Sequence, residues 1–396
     1  MNICIYKHKP RVDVTLRILE AYERAFKRQG HSVLIMSQDM EQFSRDQAQD
    51  FARRFIGFKA DLAICYGFSA MPRISGSYFF RKHEIPLAIL CFENPFFGLN
   101  AELIDEIKSH QDYYSFFVWD SCLLGLLENL FKNCFPIQHA ADIPLGTSII
   151  DNGKNHIERD IAFVGNISNF PKIRGERLNQ KDLPNDLIDE IIDEKIHHPC
   201  MNPIELYKEK TANRTKNTLS LFSDELTNPI FHQQILFPVY REGLGCYRHF
   251  ILNHLKMFHV HYYGGVHWPS DHITFHNPVQ YVGELTKIYK TSAINLDIPP
   301  FQSIDALDNR LFDIGGSGSF LLTQKSPQLS KLFEEADKIT YEDVYDLEDK
   351  IRYYIDNPVD REGVAERLRR CITEKHTYDH RVPFLVDAVK TTHGVG

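Results

Sequence analysis

Apolar residues in the first third of the chain come in short unbroken runs separated by amphipathic stretches. Residues 2–6 read as a strand. Residues 13–29 follow with helical spacing at Leu16, Leu19, Tyr22, Ala25 and Phe26, and Gly30 stops the helix. A strand over 31–36 precedes an amphipathic helix near 47–56, and 61–66 forms a third strand ending in Gly67. Two further strands are predicted over 87–92 and 114–119. Short apolar strands alternating with helices imply parallel pairing with both faces covered, a doubly wound α/β sheet. Right-handed crossovers then bring the C-terminal ends of the strands to one rim. Ligands bind at that rim, whose loops carry Lys7, His8, Lys9 and Pro10, then Gly67, Phe68 and Ser69, then Glu93, Asn94, Pro95 and Phe96.

The pattern weakens over 144–157 into a polar, turn-rich stretch suited to a linker, and a second alternation follows. Strands are predicted over 160–164, 260–263, 293–296 and 320–323, with a helix over 279–289 and helices near 347–355 and 361–371. Between about 180 and 256 the sequence is mainly helical and reads as a block inserted into the second domain. The expected organisation is a domain over 1–150, a second over 158–385, and a tail over 386–396.

At 396 residues, 43% hydrophobic and 25% charged, the chain has the composition of two folded domains without low-complexity tracts. A formal net charge of -8 argues against nucleic acid as a general partner, while leaving a DNA-modification acceptor open. No stretch approaches a membrane span of roughly 18 apolar residues, and no signal peptide is evident, so a cytoplasmic location is expected. The eight cysteines include no Cys-x-x-Cys pair, which fits reduced thiols rather than a zinc or disulfide frame.

The segment from Asp305 to Thr323 carries the most chemical information. A charged helix containing Arg310 and Asp313 leads through Gly315, Gly316, Ser317 and Gly318 into an apolar strand. Free N–H groups at a helix start attract a diphosphate, and a nearby arginine can neutralise it. Asp305 and Asp313 are eight apart, slightly over two turns, so on one helix they would face the same side. Carboxylates there can accept hydrogen bonds from ribose or sugar hydroxyls. Lys172 and Arg174, after the Gly165–Asn166 loop, are candidates for the donor phosphates. His8 and Glu93 on the first rim are candidate general bases. His259 and His261 alternate along one strand face, with His267, His272 and His276 downstream. Such residues are more often packed or hydrogen-bonded than metal-bound, and no metal site is assigned.

An ordered series of motifs in the second half resembles the glycosyltransferase-like domain of the CgeB-type spore maturation family. It runs Asp160 to Asn166, Tyr263-Gly264-Gly265, Tyr281-Val282-Gly283-Glu284-Leu285 with Ile288 and Tyr289, and Ile294-Asn295-Leu296. Asn309-Arg310-Leu311-Phe312-Asp313, Phe320 to Thr323 and His376 to Arg381 complete it, and Glu93 to Phe96 and Phe117 to Asp120 resemble that family's partner domain. The resemblance implies a GT-B fold, two Rossmann-like doubly wound domains facing a cleft, with a helical insertion in the second. It implies a UDP- or GDP-linked nucleotide-sugar donor, with no other cofactor, and transfer to an unknown hydroxyl acceptor. By position, Gly165, Asn166, Gly264, Gly265 and Asn295 would line the donor site, Arg310 would meet the diphosphate, Asp313 the ribose, and Asp305 the sugar or its phosphate. The nucleotide base would lie near 276–283. Both acidic positions carry Asp where many such transferases carry Glu. A non-catalytic nucleotide-sugar-binding or assembly protein of the same fold is the second reading.

Overall fold

Six apolar segments of the first unit and six of the second build two parallel sheets. The computed structural model describes residues 1–8, 13–38, 45–68, 71–74, 77–143, 156–212, 226–267, 270–279 and 283–394. Lys9, Pro10, Ser69, most of the expected linker, Tyr281 and Val282 lie outside the described residues. The chain divides into a unit of 1–146 with 376–396, and a unit of 147–375.

The six-stranded sheet of the first unit holds β1 (Asn2–His8), β2 (Ser32–Gln38), β3 (Leu62–Tyr66), β4 (Leu87–Cys91), β5 (Tyr114–Val118) and β6 (Cys134–Pro136). All pair in parallel in the order β2-β1-β3-β4-β5-β6. Ile3, Cys4, Ile5, Leu62, Ala63 and Ile64 are wholly buried, because helices cover both faces and leave no room for a polar alternation. The helices around it include α1 (Asp13–Arg28), α2 (Arg45–Phe58), α3 (Ala101–Ser109) and α4 (Ser121–Glu128). Gly30 has φ +81°, the left-handed conformation that ends α1. The short strand β6 and helices α3 and α4 were not among the expected elements. Asn100 and Asp120 cap the two helices with side-chain oxygens, the local signal for their starts.

The second unit contains β7 (Arg159–Val164), β8 (Val260–Tyr263), β9 (Ile273–His276), β10 (Ser292–Leu296), β11 (Leu321–Gln324) and β12 (Thr340–Tyr341), in the order β9-β8-β7-β10-β11-β12. Every pairing is again parallel. Helices α5 (Phe170–Leu178), α6 (Asn185–His197), α7 (Pro203–Thr211) and α8 (Phe237–His254) make the inserted block. A π-helical turn over His232–Leu236 leads into α8. Arg177 of α5 and Glu242 of α8, both buried, pair at 2.7 Å and tie the block together, and Asp189 of α6 also binds Arg177. Helices α9 (Glu284–Lys290), α10 (Asn309–Gly316), α11 (Pro327–Leu332), α12 (Val344–Asp356) and α13 (Pro358–Lys375) complete this unit.

The last helix, α14 (Tyr378–His393), belongs to the first unit rather than to the second domain expected over 158–385. Tyr378 packs edge-on against Tyr22 of α1, and Arg28 grips the Asp379 carboxylate through Nε and Nη2, each at 3.0 Å. Ser115 and His393 bond at 2.7 Å, and Thr377 bridges to Ala141.

Candidate donor site at the β7/β10 crossover

Strand order places a switch point between β7 and β10. From β7 the chain proceeds outward through β8 and β9, then crosses back to build β10, β11 and β12 on the other side. The loops leaving β7 and β10 therefore diverge, opening a crevice at their C-terminal ends, where ligands of such sheets bind.

Four charged side chains meet there. Arg310, in the first turn of α10, donates from Nε and Nη2 to Asp308 at 3.0 and 2.5 Å. It also donates to the carbonyls of Val164 at 2.9 Å and Ile298 at 3.2 Å. Its Nε lies 3.4 Å from Asp297, whose second oxygen accepts from Thr323 at 2.8 Å. Arg248 of α8 reaches the same place and donates to the carbonyls of Asn166 at 2.5 Å and Ile298 at 2.9 Å. A Cβ on Gly165 would stand 2.9 Å from Arg310 Nη1 and from the Phe163 ring, so the approach requires glycine.

Electrostatics follow from this burial. Desolvation pushes the Asp297 carboxyl up to about 6, opposed by the Arg310 charge. Burial and then the Arg310 charge pull Arg248 down to about 9, so it stays protonated at neutral pH. Burial of Arg310 is outweighed by Asp308 and Asp297, which hold it above the usual arginine range. Arg248 Nε, Asp297 Oδ1, Asn295 Oδ1 and the Tyr289 hydroxyl are buried without a hydrogen-bond partner in the protein. Burial, then the charge of Asp313, raises the Tyr289 phenol. Asp308 precedes α10 with extended backbone and makes no side-chain cap, its carboxylate being taken by Arg310. The α10 N-terminus thus faces the crevice without a capping side chain.

The structure brings Gly165, Asn166, Arg310 and Asp313 to this crossover, with Gly264 and Gly265 on the neighbouring loop after β8. Gly265 lies 3.4 Å from the Asn166 side chain, measured from an added Cβ. Asp313 is half-buried on α10, where Asn309 approaches it at 3.5 Å. Four expectations need correction. Asp305 is not on the helix with Asp313, because α10 begins at Asn309; it lies in the preceding loop, near Ser326 and Gln328. Asn295 is buried, and its amide nitrogen is committed to the carbonyls of Tyr289 and Phe320, each at 3.0 Å. Lys172 is exposed beside Glu176, and Arg174 pairs with Asp189 at 3.1 Å on the inserted block. Arg310, expected to meet a diphosphate directly, spends its donors on protein groups. Arg248 and Asp297 were missed: neither sits in a motif, and only the folded topology brings them together.

On the first unit's rim, His8 ends β1 and Glu93 follows β4. Asn94, not Glu93, caps the next turn, accepting from Phe96 N–H at 3.1 Å. The Glu93 side chain reaches solvent, yet burial around it raises its carboxyl pKa. The histidines at β8 and β9 bond to neighbours: His259, just before β8, to Thr274 at 2.7 Å and His261 to His276 at 3.0 Å. Among the described residues no group of three metal-type ligands converges.

Residues 241–387, from α8 into α14, match a family described as glycosyl transferase-like. No curated protein matches in sequence. Among solved structures, a glycosyltransferase from Rickettsia africae ESF-5 is similar with a TM-score of 0.52 at 9% identity, over 99% of this chain and 98% of that one. T4 phage BGT in complex with its UDP-glucose substrate gives 0.51 at 10% identity, over 99% of each chain. An alpha-glucosyltransferase in complex with UDP and a 13-mer DNA gives 0.52 at 10% identity, over 98% of this chain and 100% of that one. The two parallel six-stranded sheets with flanking helices, and the likeness to these structures, make this a GT-B fold, and residues 241–387 match a glycosyl transferase-like family.

Proposed function

We propose that the chain is a glycosyltransferase that binds a UDP- or GDP-linked sugar in its second unit and passes the sugar to a hydroxyl acceptor. One observation carries this reading: at the β7/β10 crossover, glycine loops, the start of α10, two arginines and buried polar atoms without protein partners converge. The half-buried Asp313 is suited to accept from ribose hydroxyls, and the α10 N-terminus to receive the diphosphate. In the reaction a base takes the acceptor's hydroxyl proton and the acceptor oxygen bonds to the anomeric carbon. The bond from that carbon to the diphosphate breaks, and its electron pair leaves on the phosphate oxygen. Glu93, with its raised pKa, is the proposed base, and His8 lies on the same rim.

Stabilisation of the leaving diphosphate by fixed positive groups requires no metal, and we propose a metal-independent reaction. T4 phage BGT has been solved with UDP and Mn2+, so this part is tested separately. Donor turnover within twofold of its starting rate in chelator supports it, and dependence on Mn2+ overturns it. The CgeB-type resemblance is the proposed subfamily. A cytoplasmic setting suits eight cysteines that form no disulfide. Among described residues no helix is long and apolar enough to cross a membrane. The acceptor is left as a glycan, protein, metabolite or modified nucleobase.

The deciding experiment is thermal stabilisation by UDP, GDP and their sugars, compared between the wild type and Asp313→Ala. A melting shift with one nucleotide that the substitution removes supports the reading, because specific binding stabilises by mass action. Absence of any shift in the wild type overturns it.

A further inference from the structure

The inserted helical block reaches the crossover along α8. On α8, Gly243 faces Phe301 so closely that a Cβ would stand 2.2 Å from its ring. Gly245 faces Phe170 and the Ser168 carbonyl at 2.8 and 3.0 Å by the same measure. Arg248 lies one turn beyond Gly245 on the same side. The helix is therefore laid against both loops of the switch point, the one after β7 through Ser168 and Phe170 and the one after β10 through Phe301. Its guanidinium joins them, with one nitrogen on the Asn166 carbonyl and another on the Ile298 carbonyl. The side chain is buried, stacks 5.5 Å from the Phe163 ring, and leaves its Nε without a partner.

An anion site tolerates poorly any carbonyl oxygen turned toward it. Arg248 and Arg310 together hold the carbonyls of Val164, Asn166 and Ile298 on guanidinium donors. The guanidinium fork reaches the two oxygens from two separate nitrogens held in one plane, a spacing that the single ammonium nitrogen of a lysine does not reproduce. Asp308 and Asp297 engage Arg310, whereas Arg248 donates to the backbone carbonyls of Asn166 and Ile298.

We propose that Arg248 is a positioning residue of the donor site, supplied by the inserted helical block, which fixes the Asn166 and Ile298 loops in the conformation that receives the donor's diphosphate. The inference rests on the nucleotide-sugar reading above. It gives the block a task at the phosphates, and it leaves base and ribose recognition to other residues.

The test measures affinity of the full chain for UDP against uridine and for GDP against guanosine, in the wild type, Arg248→Met and Arg248→Lys, with circular dichroism melting to establish folding. The expected result is a fall of about tenfold or more in the preference for diphosphate over nucleoside. Nucleoside affinity should stay within about twofold, and Lys should give no full rescue. If Arg248→Met does not fold, Arg248→Lys carries the comparison. Equal loss for nucleoside and diphosphate would mean a purely structural role and overturn the inference, as would unchanged preference. A wild type that binds none of the four ligands fails the donor reading itself and takes the inference with it; binding by the wild type with no change in preference fails the inference alone.

Discussion

At the scale of single residues, the crossover shows what a motif can and cannot reveal. Arg310 and Asp313 were found because their spacing in front of a glycine turn and an apolar strand is written in consecutive residues. The partners of Arg310 were not, because Asp297 follows β10 and Val164 ends β7, and nothing local links those positions. The consequence for mutagenesis is direct. Removing Arg310 would strip buried carboxylates of their counter-ion at a cost of about 3–5 kcal/mol, so Arg310→Ala is expected to unfold the second unit rather than report on ligand. Glu93 offers a cleaner chemical probe. A base must be deprotonated, so a raised carboxyl pKa moves the acid limb of kcat/KM upward toward neutrality. Glu93→Gln is expected to lower kcat by about 10²–10⁴-fold and to abolish that limb in a pH–rate profile, whereas a spectator Glu93 would leave both unchanged.

At the scale of elements, long strands and helices were legible and short edge pieces were not. β12 has two residues and β6 three, too few to display a period. Counting eight positions from Asp305 to Asp313 presupposed a helix over the whole interval. Asp308, a residue type that favours helix starts and here in extended backbone with ψ 151°, was the signal that α10 begins later. The run into α8 carries its own titration. His232 is buried, its Nε2 bonds to the Leu226 carbonyl at 2.7 Å, and burial pulls its pKa down to about 4. The folded state keeps this ring neutral while the unfolded chain protonates near 6.5, so the stability it contributes is full above about 6.5 and is lost as pH falls toward about 4. Melting temperature should drop across that window, and His232→Gln, which retains a donor without titrating, should flatten the drop. Gly243→Val should cost about 1–3 kcal/mol in denaturant unfolding, since the Phe301 ring it would strike is itself buried.

At the scale of the whole molecule, the chain's path differs from the expected partition into consecutive domains. The contacts of α14 with α1 and β5 join residues some 350 and 278 positions apart, and no local pattern announces them. Deleting 376–396 should therefore destabilise the first unit while sparing the second, although the second is its neighbour in sequence. Hydrogen exchange would show protection lost in β1 and α1 and kept in β7 and β10; the opposite distribution would refute the assignment of α14.

The divided first unit also sets a schedule. During synthesis all of 147–375 is available before the residues of α14 emerge, so the second unit can finish folding while the first still lacks a helix. The half that is made first is thus completed last. Until then it presents an α1 whose Tyr22 and Arg28 await their partners, and a chaperone meeting this nascent chain would find that surface.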